Sequence, residues 1–238
     1  MNIYSMHGTN RVKKAALVPA IALLAVATAG PARSADLSVA PLYKAPPRVA
    51  AIVNNWSGLY VGANGGGAWG TSNWTTVGNF KLRGGEVGGT AGYNWHIGPA
   101  VLGLEGDFDY QGVQGTGTSV KCKLGCTTKE DFLGTVRGRA GYVVDRFMLY
   151  GTGGAAIGDI KASAPGFRGM SETRTGWTVG GGVEWNVFNN WTAKAEYLHV
   201  DLGKMNCGFN CGMIANNTVS LTEDLVRGGI NYHLGYGY

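Results

Sequence analysis

The sequence predicts an all-β protein: an eight-stranded antiparallel up-and-down transmembrane β-barrel behind an N-terminal secretory signal peptide. Three observations predict it. Apolar and polar residues alternate with period two over long stretches, as strands with one apolar and one polar face require. The connections between those stretches alternate between short and long. Aromatic residues gather at the ends of the stretches, where a bilayer would place its interfaces.

The front of the chain is not barrel. Arg11, Lys13 and Lys14 precede an apolar run from Ala15 to Ala29, then Gly30, Pro31 and small residues. That order of charged, apolar and small segments is a secretory signal. The run is shorter than the roughly 20 residues a spanning helix needs. A cut after Ser34 puts Ala32 and Ser34 at the small positions, so residues 1–34 are assigned to the signal peptide. Residues 35–55, with Pro41, Pro46 and Pro47 and no periodicity, are assigned to an extended leader, and 56–238 to the barrel. With residues 1–35 go Arg11, Lys13, Lys14 and Arg33 and no acid, leaving 16 basic against 15 acidic residues. The high pI therefore belongs to the export signal and gives no support for a nucleic acid partner.

The first strand begins at Trp56, with Leu59, Val61, Ala63 and Trp69 on one face and Tyr60 and Asn64 on the other. The second, about 82–96, sets Val87, Ala91, Tyr93 and Trp95 against Glu86, Thr90 and Asn94, and Gly98-Pro99 turns it. In the third, about 100–112, Leu102, Leu104, Phe108 and Tyr110 alternate with Glu105, Asp107 and Asp109. The fourth, about 132–143, opposes Phe132, Val136, Ala140 and Tyr142 to Arg137 and Arg139. Asp145 turns into a fifth, MLYGTGGAAIG, whose facing the pattern does not assign. The sixth and seventh form a hairpin over 175–202 that turns at Asn189-Asn190. Trp177, Val179, Val183 and Trp185 share its apolar face, with Glu184, Lys194 and Glu196 on the polar one. After Tyr197 the polarity of the two faces changes sides, which predicts an exit from the bilayer or a bulge. The eighth, about 224–234, opposes Val226, Ile230, Tyr232 and Leu234 to Arg227, Asn231 and His233.

The connections near Gly98, Asp145 and Asn189 are short, while those at about 70–81, 113–131, 159–173 and 203–223 are long. Short turns at one end and long loops at the other are expected of an outer-membrane barrel, with the turns in the periplasm. The expected aromatic girdles comprise Trp56, Trp95, Tyr142, Phe147, Trp185, Trp191 and Tyr232 near the turns. Trp69, Phe108, Tyr110, Phe132 and Trp177 lie near the loops. With lipid outside, charges must face in, because a basic residue at the bilayer midplane costs roughly 2–4 kcal/mol. Glu86, Glu105, Asp107, Asp109, Arg137, Arg139, Glu184, Lys194, Glu196 and Arg227 are therefore assigned to the interior. Eight strands enclose a space that side chains just fill, so at most a small conductance is expected.

Four segments carry a family resemblance: ADLSVAPLYKAPP, NWSGLYVGANGGGAWG, AEYLHVDLG and RGGINYHL. They resemble the small outer-membrane β-barrel proteins of alphaproteobacteria, the porin-like or outer-membrane immunogenic proteins with an OmpA-type barrel. The resemblance runs from about Asp36 to Leu234. It implies a surface protein of the Gram-negative outer membrane that supports envelope integrity and is seen by hosts. Some members are credited with porin or haem-binding activity. The chain departs from the family at His199, where an aromatic is usual, and in its GYGY tail. RGGINYHL also resembles the final-strand signal read by the barrel assembly machinery. The implied partners are that machinery, outer-membrane lipids with lipopolysaccharide, and host or environmental ligands of the outer loops.

Other motifs weigh less. Cys122, Cys126, Cys207 and Cys211 fall in two long loops of an exported chain and suggest disulfides. Three connectivities are open, the two local pairs being favoured. Gly65-x-Gly67-x-x-Gly70 matches a dinucleotide fingerprint by letter, but no helix pattern follows. No metal or cofactor motif stands out. Ser220 and His199 could be proposed for a lipid-modifying enzyme, yet no Ser/His/acid pattern emerges, and interface packing suits His199 better. The expectation is a structural, non-enzymatic surface barrel; a diffusion porin and a lipid-modifying enzyme are the alternatives.

Overall fold

Eight antiparallel strands pair in sequence order and close on themselves. They are β1 (Gly58–Trp74), β2 (Gly78–Ile97), β3 (Ala100–Ser119), β4 (Cys122–Val144), β5 (Phe147–Ser163), β6 (Met170–Phe188), β7 (Trp191–Asn206) and β8 (Thr218–His233). A 3-10 turn, Gly208–Cys211, sits between β7 and β8. This computed structural model describes residues 56–75, 77–119, 122–211 and 217–234, without the side chains of 122–124 and 211. The segments read as signal peptide and leader, and the GYGY tail, lie outside the described residues.

The connections at one end are minimal, and their residues suit them. Gly98, Asp145 and Asn189 each take a positive φ, of 62°, 55° and 46°. Gly, Asp and Asn are the residues that enter this left-handed region most readily, as tight hairpins require. Closure leaves no sheet edge, since β8 pairs with β1 from His233↔Tyr60 to Val219↔Trp74.

The connections expected to be long are largely strand. β1 and β2 remain paired as far as Trp74↔Gly78, β3 and β4 as far as Ser119↔Cys122, and β5 and β6 as far as Ala162↔Met170. The reason is an inversion of polarity along each strand. On the turn side, Leu59, Val87, Leu104, Val136, Leu149 and Ile230 face outward and are exposed, while the inward positions are charged or amidic. On the loop side, Trp74, Leu82, Val113, Leu133, Ile160, Leu198, Val200 and Leu221 face inward as one buried cluster. There the outward positions carry Lys81, Arg83, Lys129, Asp131, Lys161, Asp201 and Lys204. An apolar exterior suits lipid and a polar exterior suits water, so the wall leaves the bilayer while its strands continue.

The same inversion accounts for the change of sides after Tyr197. β7 runs on through Leu198, Val200 and Leu202, which join the buried inner cluster. A bulge does occur, but later, between Asp201 and Lys204. On β5, Met148, Tyr150, Thr152 and Ala156 face inward and Leu149 and Ile157 outward.

Candidate functional site

The turn-side half of the lumen is an ion network. Glu105, Asp107 and Asp109 of β3 share a parity, and the register sets Glu105 opposite Arg137 of β4. Arg137 Nη2 lies 2.5 Å from Glu105 and 2.6 Å from Asp107, and its Nη1 lies 3.2 Å from Glu196 on β7. Arg139 is 2.6 Å from Glu184 on β6 and 3.3 Å from Glu105. Its guanidinium also lies over the Tyr150 ring, 4.2 Å from the centroid. Arg227 of β8 gathers Asp107 and Asp109, each at 3.0 Å, and Glu196 at 2.7 Å. Lys194 Nζ sits 3.3 Å from Glu105 Oε2. Every one of these groups is buried. Each arginine serves acids from two strands and Lys194 reaches from β7 to β3, so the contacts cross the lumen instead of running along its wall. Buried charges need such partners, since one left alone bears the desolvation cost uncompensated. Glu86 is buried among them with no hydrogen-bond partner among the described residues.

Neutral groups outside the charge set assigned from the sequence complete the network. Tyr60 donates to Glu105 at 2.7 Å and Tyr150 to Glu196 at 3.0 Å. Thr192 and Asn231 donate to Glu184 Oε1 at 2.5 and 2.8 Å. Gln111 donates to Glu223 at 3.2 Å. The sequence places Tyr60 on the polar face of the first strand and leaves the facing of Tyr150 unassigned. Glu130 and Glu223, both fully buried, fall in segments that read as loop.

Glycines make room for this packing. A Cβ on Gly66 would lie 2.2 Å from the Val226 carbonyl oxygen and 2.7 Å from the Cα of Arg227. One on Gly88 would lie 2.0 Å from Asp109 Oδ1.

Two rings of aromatics frame the apolar band. Toward the turns, Trp95, Tyr142, Phe147, Trp191 and Tyr232 are exposed on the outer face, with Trp185 half-buried beside Phe147. Toward the loops, Trp69, Phe108, Tyr110 and Trp177 are exposed, and Phe132 stacks on Phe108 at 5.9 Å. Tyr93, Phe188 and Tyr197 also face outward. Trp56 corrects the assignment: it is fully buried, not part of a girdle. It precedes the first strand, turns into the mouth of the barrel and packs edge-on against His233 at 6.0 Å. Alternation within a strand says nothing about a residue just outside it.

On the outer face His199 Nδ1 lies 2.8 Å from Asp224, which also accepts from the Tyr197 hydroxyl at 2.6 Å. The His199 ring lies 5.5 Å from that of Trp177. Ser220 does not join this pair; its register partner on β7 is Lys204. Cys126 and Cys207 are buried at the loop end and both are disulfide-bonded. The Cys122 and Cys211 side chains lie outside those described, so the pairing is not assigned. Beyond the loop-side ring, Asp131 is held below the usual carboxylate range by hydrogen bonds from Lys129 and Lys161. Among the described residues no cluster of His, Cys, Asp and Glu is arranged to hold a metal ion.

The description "outer membrane protein beta-barrel domain" matches residues 20–237. The chain is 36% identical over 237 residues to the 31 kDa outer-membrane immunogenic protein of Brucella melitensis, covering 90% of this chain and 94% of that one. It is 32% identical over 224 residues to the 25 kDa outer-membrane immunogenic protein of Brucella abortus, covering 93% and 95%. The 22 kDa outer membrane protein of Rhizobium leguminosarum is 40% identical over 147 residues, 62% of this chain and 64% of that one. Among solved structures, Neisserial surface protein A aligns over 75% of this chain and 98% of its own, at 16% identity and a TM-score of 0.43. With a closed ring, a lipid-compatible wall and relatives that match nine-tenths of its length, this chain belongs to the outer membrane protein beta-barrel domain family and resides in the Gram-negative outer membrane.

Proposed function

We propose that this protein is a structural, surface-exposed barrel that supports envelope integrity, with a lumen closed by its own side chains and little or no pore activity. The observation that carries it is the cross-lumen network. Arg137, Arg139, Lys194 and Arg227 each reach acids on other strands, at distances of 2.5–3.3 Å. A solute path would have to break several charge-assisted contacts at one level. The buried apolar cluster in the loop-side half would have to part as well.

The role is non-enzymatic. His199 and Asp224 face outward, with no serine placed beside them among the described residues. Assembly through the barrel assembly machinery, contact with lipopolysaccharide, local Cys122–Cys126 and Cys207–Cys211 disulfides, and host or environmental ligands at the loop rim all belong to this proposal.

Planar-bilayer recording of the refolded barrel tests it. Silence or rare small events are expected. Large, steady, salt-proportional steps would overturn it in favour of a diffusion porin.

A further inference from the structure

Just beyond the loop-side aromatic ring, a groove runs along the outer wall over β8, β1 and β2. Trp69, Thr71, Lys81, Arg83, Thr222 and Asp224 line it, and its floor is glycine, from Gly67, Gly70 and Gly84. The register sets Trp69 beside Arg83 on β2 and beside Asp224 on β8. Thr71 is likewise flanked by Lys81 and Thr222. Trp69 is 44% exposed.

The charges in this groove are unequal. Asp224 is occupied, accepting from Tyr197 at 2.6 Å and facing His199 Nδ1 at 2.8 Å. Lys81 and Arg83 are exposed and form no ion pair among the described residues. Two other outward cations on this half of the wall, Lys129 and Lys161, are both tied to Asp131. Two uncompensated cations thus stand at headgroup height, directly beyond a tryptophan at the interface. Below them the wall is apolar, with Val87, Leu59 and Val61 exposed.

We propose that this groove binds the phosphorylated headgroup of an outer-leaflet glycolipid. Lys81 and Arg83 hold the phosphate, the hydroxyls of Thr71 and Thr222 face the sugar, and Trp69 marks where the acyl chains begin. Arginine favours phosphate through its forked donors, and lysine acts as a point charge beside it. The proposal rests on the membrane placement of the barrel but not on whether the lumen conducts.

The test uses the refolded barrel in phosphatidylcholine vesicles doped with bisphosphorylated lipid A, its dephosphorylated form, or neither. Retained lipid is read by native mass spectrometry after extraction into detergent. Lipid A should be retained and the dephosphorylated form lost. Lys81→Ala and Arg83→Ala should each lower retention about fivefold. Lys129→Ala and Lys161→Ala should leave it unchanged. Gel mobility before and after boiling reports that each variant has folded. Equal retention of the two lipid forms, or full retention by a folded Lys81→Ala/Arg83→Ala double variant, would overturn the proposal. So would inorganic phosphate alone occupying the groove as tightly, since that makes it a soluble-anion site. A conducting barrel that still retains lipid A would sink the closed-lumen function and leave this site standing.

Discussion

Lys194 Nζ on β7 lies 3.3 Å from Glu105 Oε2 on β3, and these strands are diametrically opposite in the ring of eight. Contact across the full width means that side chains, not solvent, occupy this level of the lumen. Glu105 is the hub: it also meets Arg137, Arg139 and the Tyr60 hydroxyl. The interior thereby ties together strands that share no backbone hydrogen bonds.

Arg227→Met should be among the costliest lumen substitutions. It leaves Asp107, Asp109 and Glu196 without the guanidinium that gathers them. Removing one partner of a buried ion pair costs about 3–5 kcal/mol. Urea unfolding in detergent micelles, followed by tryptophan fluorescence, should show that loss. The exposed Lys161→Met should change the midpoint little.

Clearing one level of the lumen should open a path. Arg227→Ser combined with Asp107→Ser and Asp109→Ser removes both signs of charge, so neither aspartate stays buried without Arg227, and Glu196 keeps Arg137. Single-channel recordings should then show steps absent from the parent protein. Unchanged silence from a folded triple variant would mean that the apolar loop-side cluster closes the barrel by itself.

The tryptophans should divide sharply in lipid. Trp69, Trp95 and Trp177 face outward, whereas Trp56 and Trp74 are fully buried inside. In single-tryptophan variants, brominated lipids should quench the first group and spare the second. Quenching of Trp56 would return it to the girdle.

Protease on intact cells should find few sites. Lys129, Lys161 and Lys204 lie within strands, so trypsin should spare them. Arg168, between β5 and β6 at the loop end, should be cut, and Arg146 in a turn at the opposite end should not. Cleavage at Arg146 would mean an inverted barrel.

Gly66→Val should fail to fold into the heat-modifiable form. Its Cβ would meet the Val226 carbonyl at 2.2 Å, and backbone cannot yield as a side chain does. Gly65→Ala, whose nearest contact is 3.4 Å, should fold normally on the same gel.

By itself the sequence determined the strand number, the three tight turns and the facing of the turn-side half of every strand but the fifth. There the alternation is strict, and placing a residue such as Arg137 or Asp107 on the lipid face would be costly. It also determined which charges of that half lie inside, but not Glu130 and Glu223 of the other half. Only the tertiary structure decided which of them meet, because Lys194 and Glu105 are far apart in the chain and join across a closed ring. Only the tertiary structure decided the length of the strands. Beyond the aromatic ring lipid gives way to water, so Leu198 and Val200 turn inward where Glu196 and Lys194 had been. A pattern read for one solvent looks like loop when the same strand enters another. Trp56 was decided the same way, by packing against His233 that exists only once the eight strands have closed.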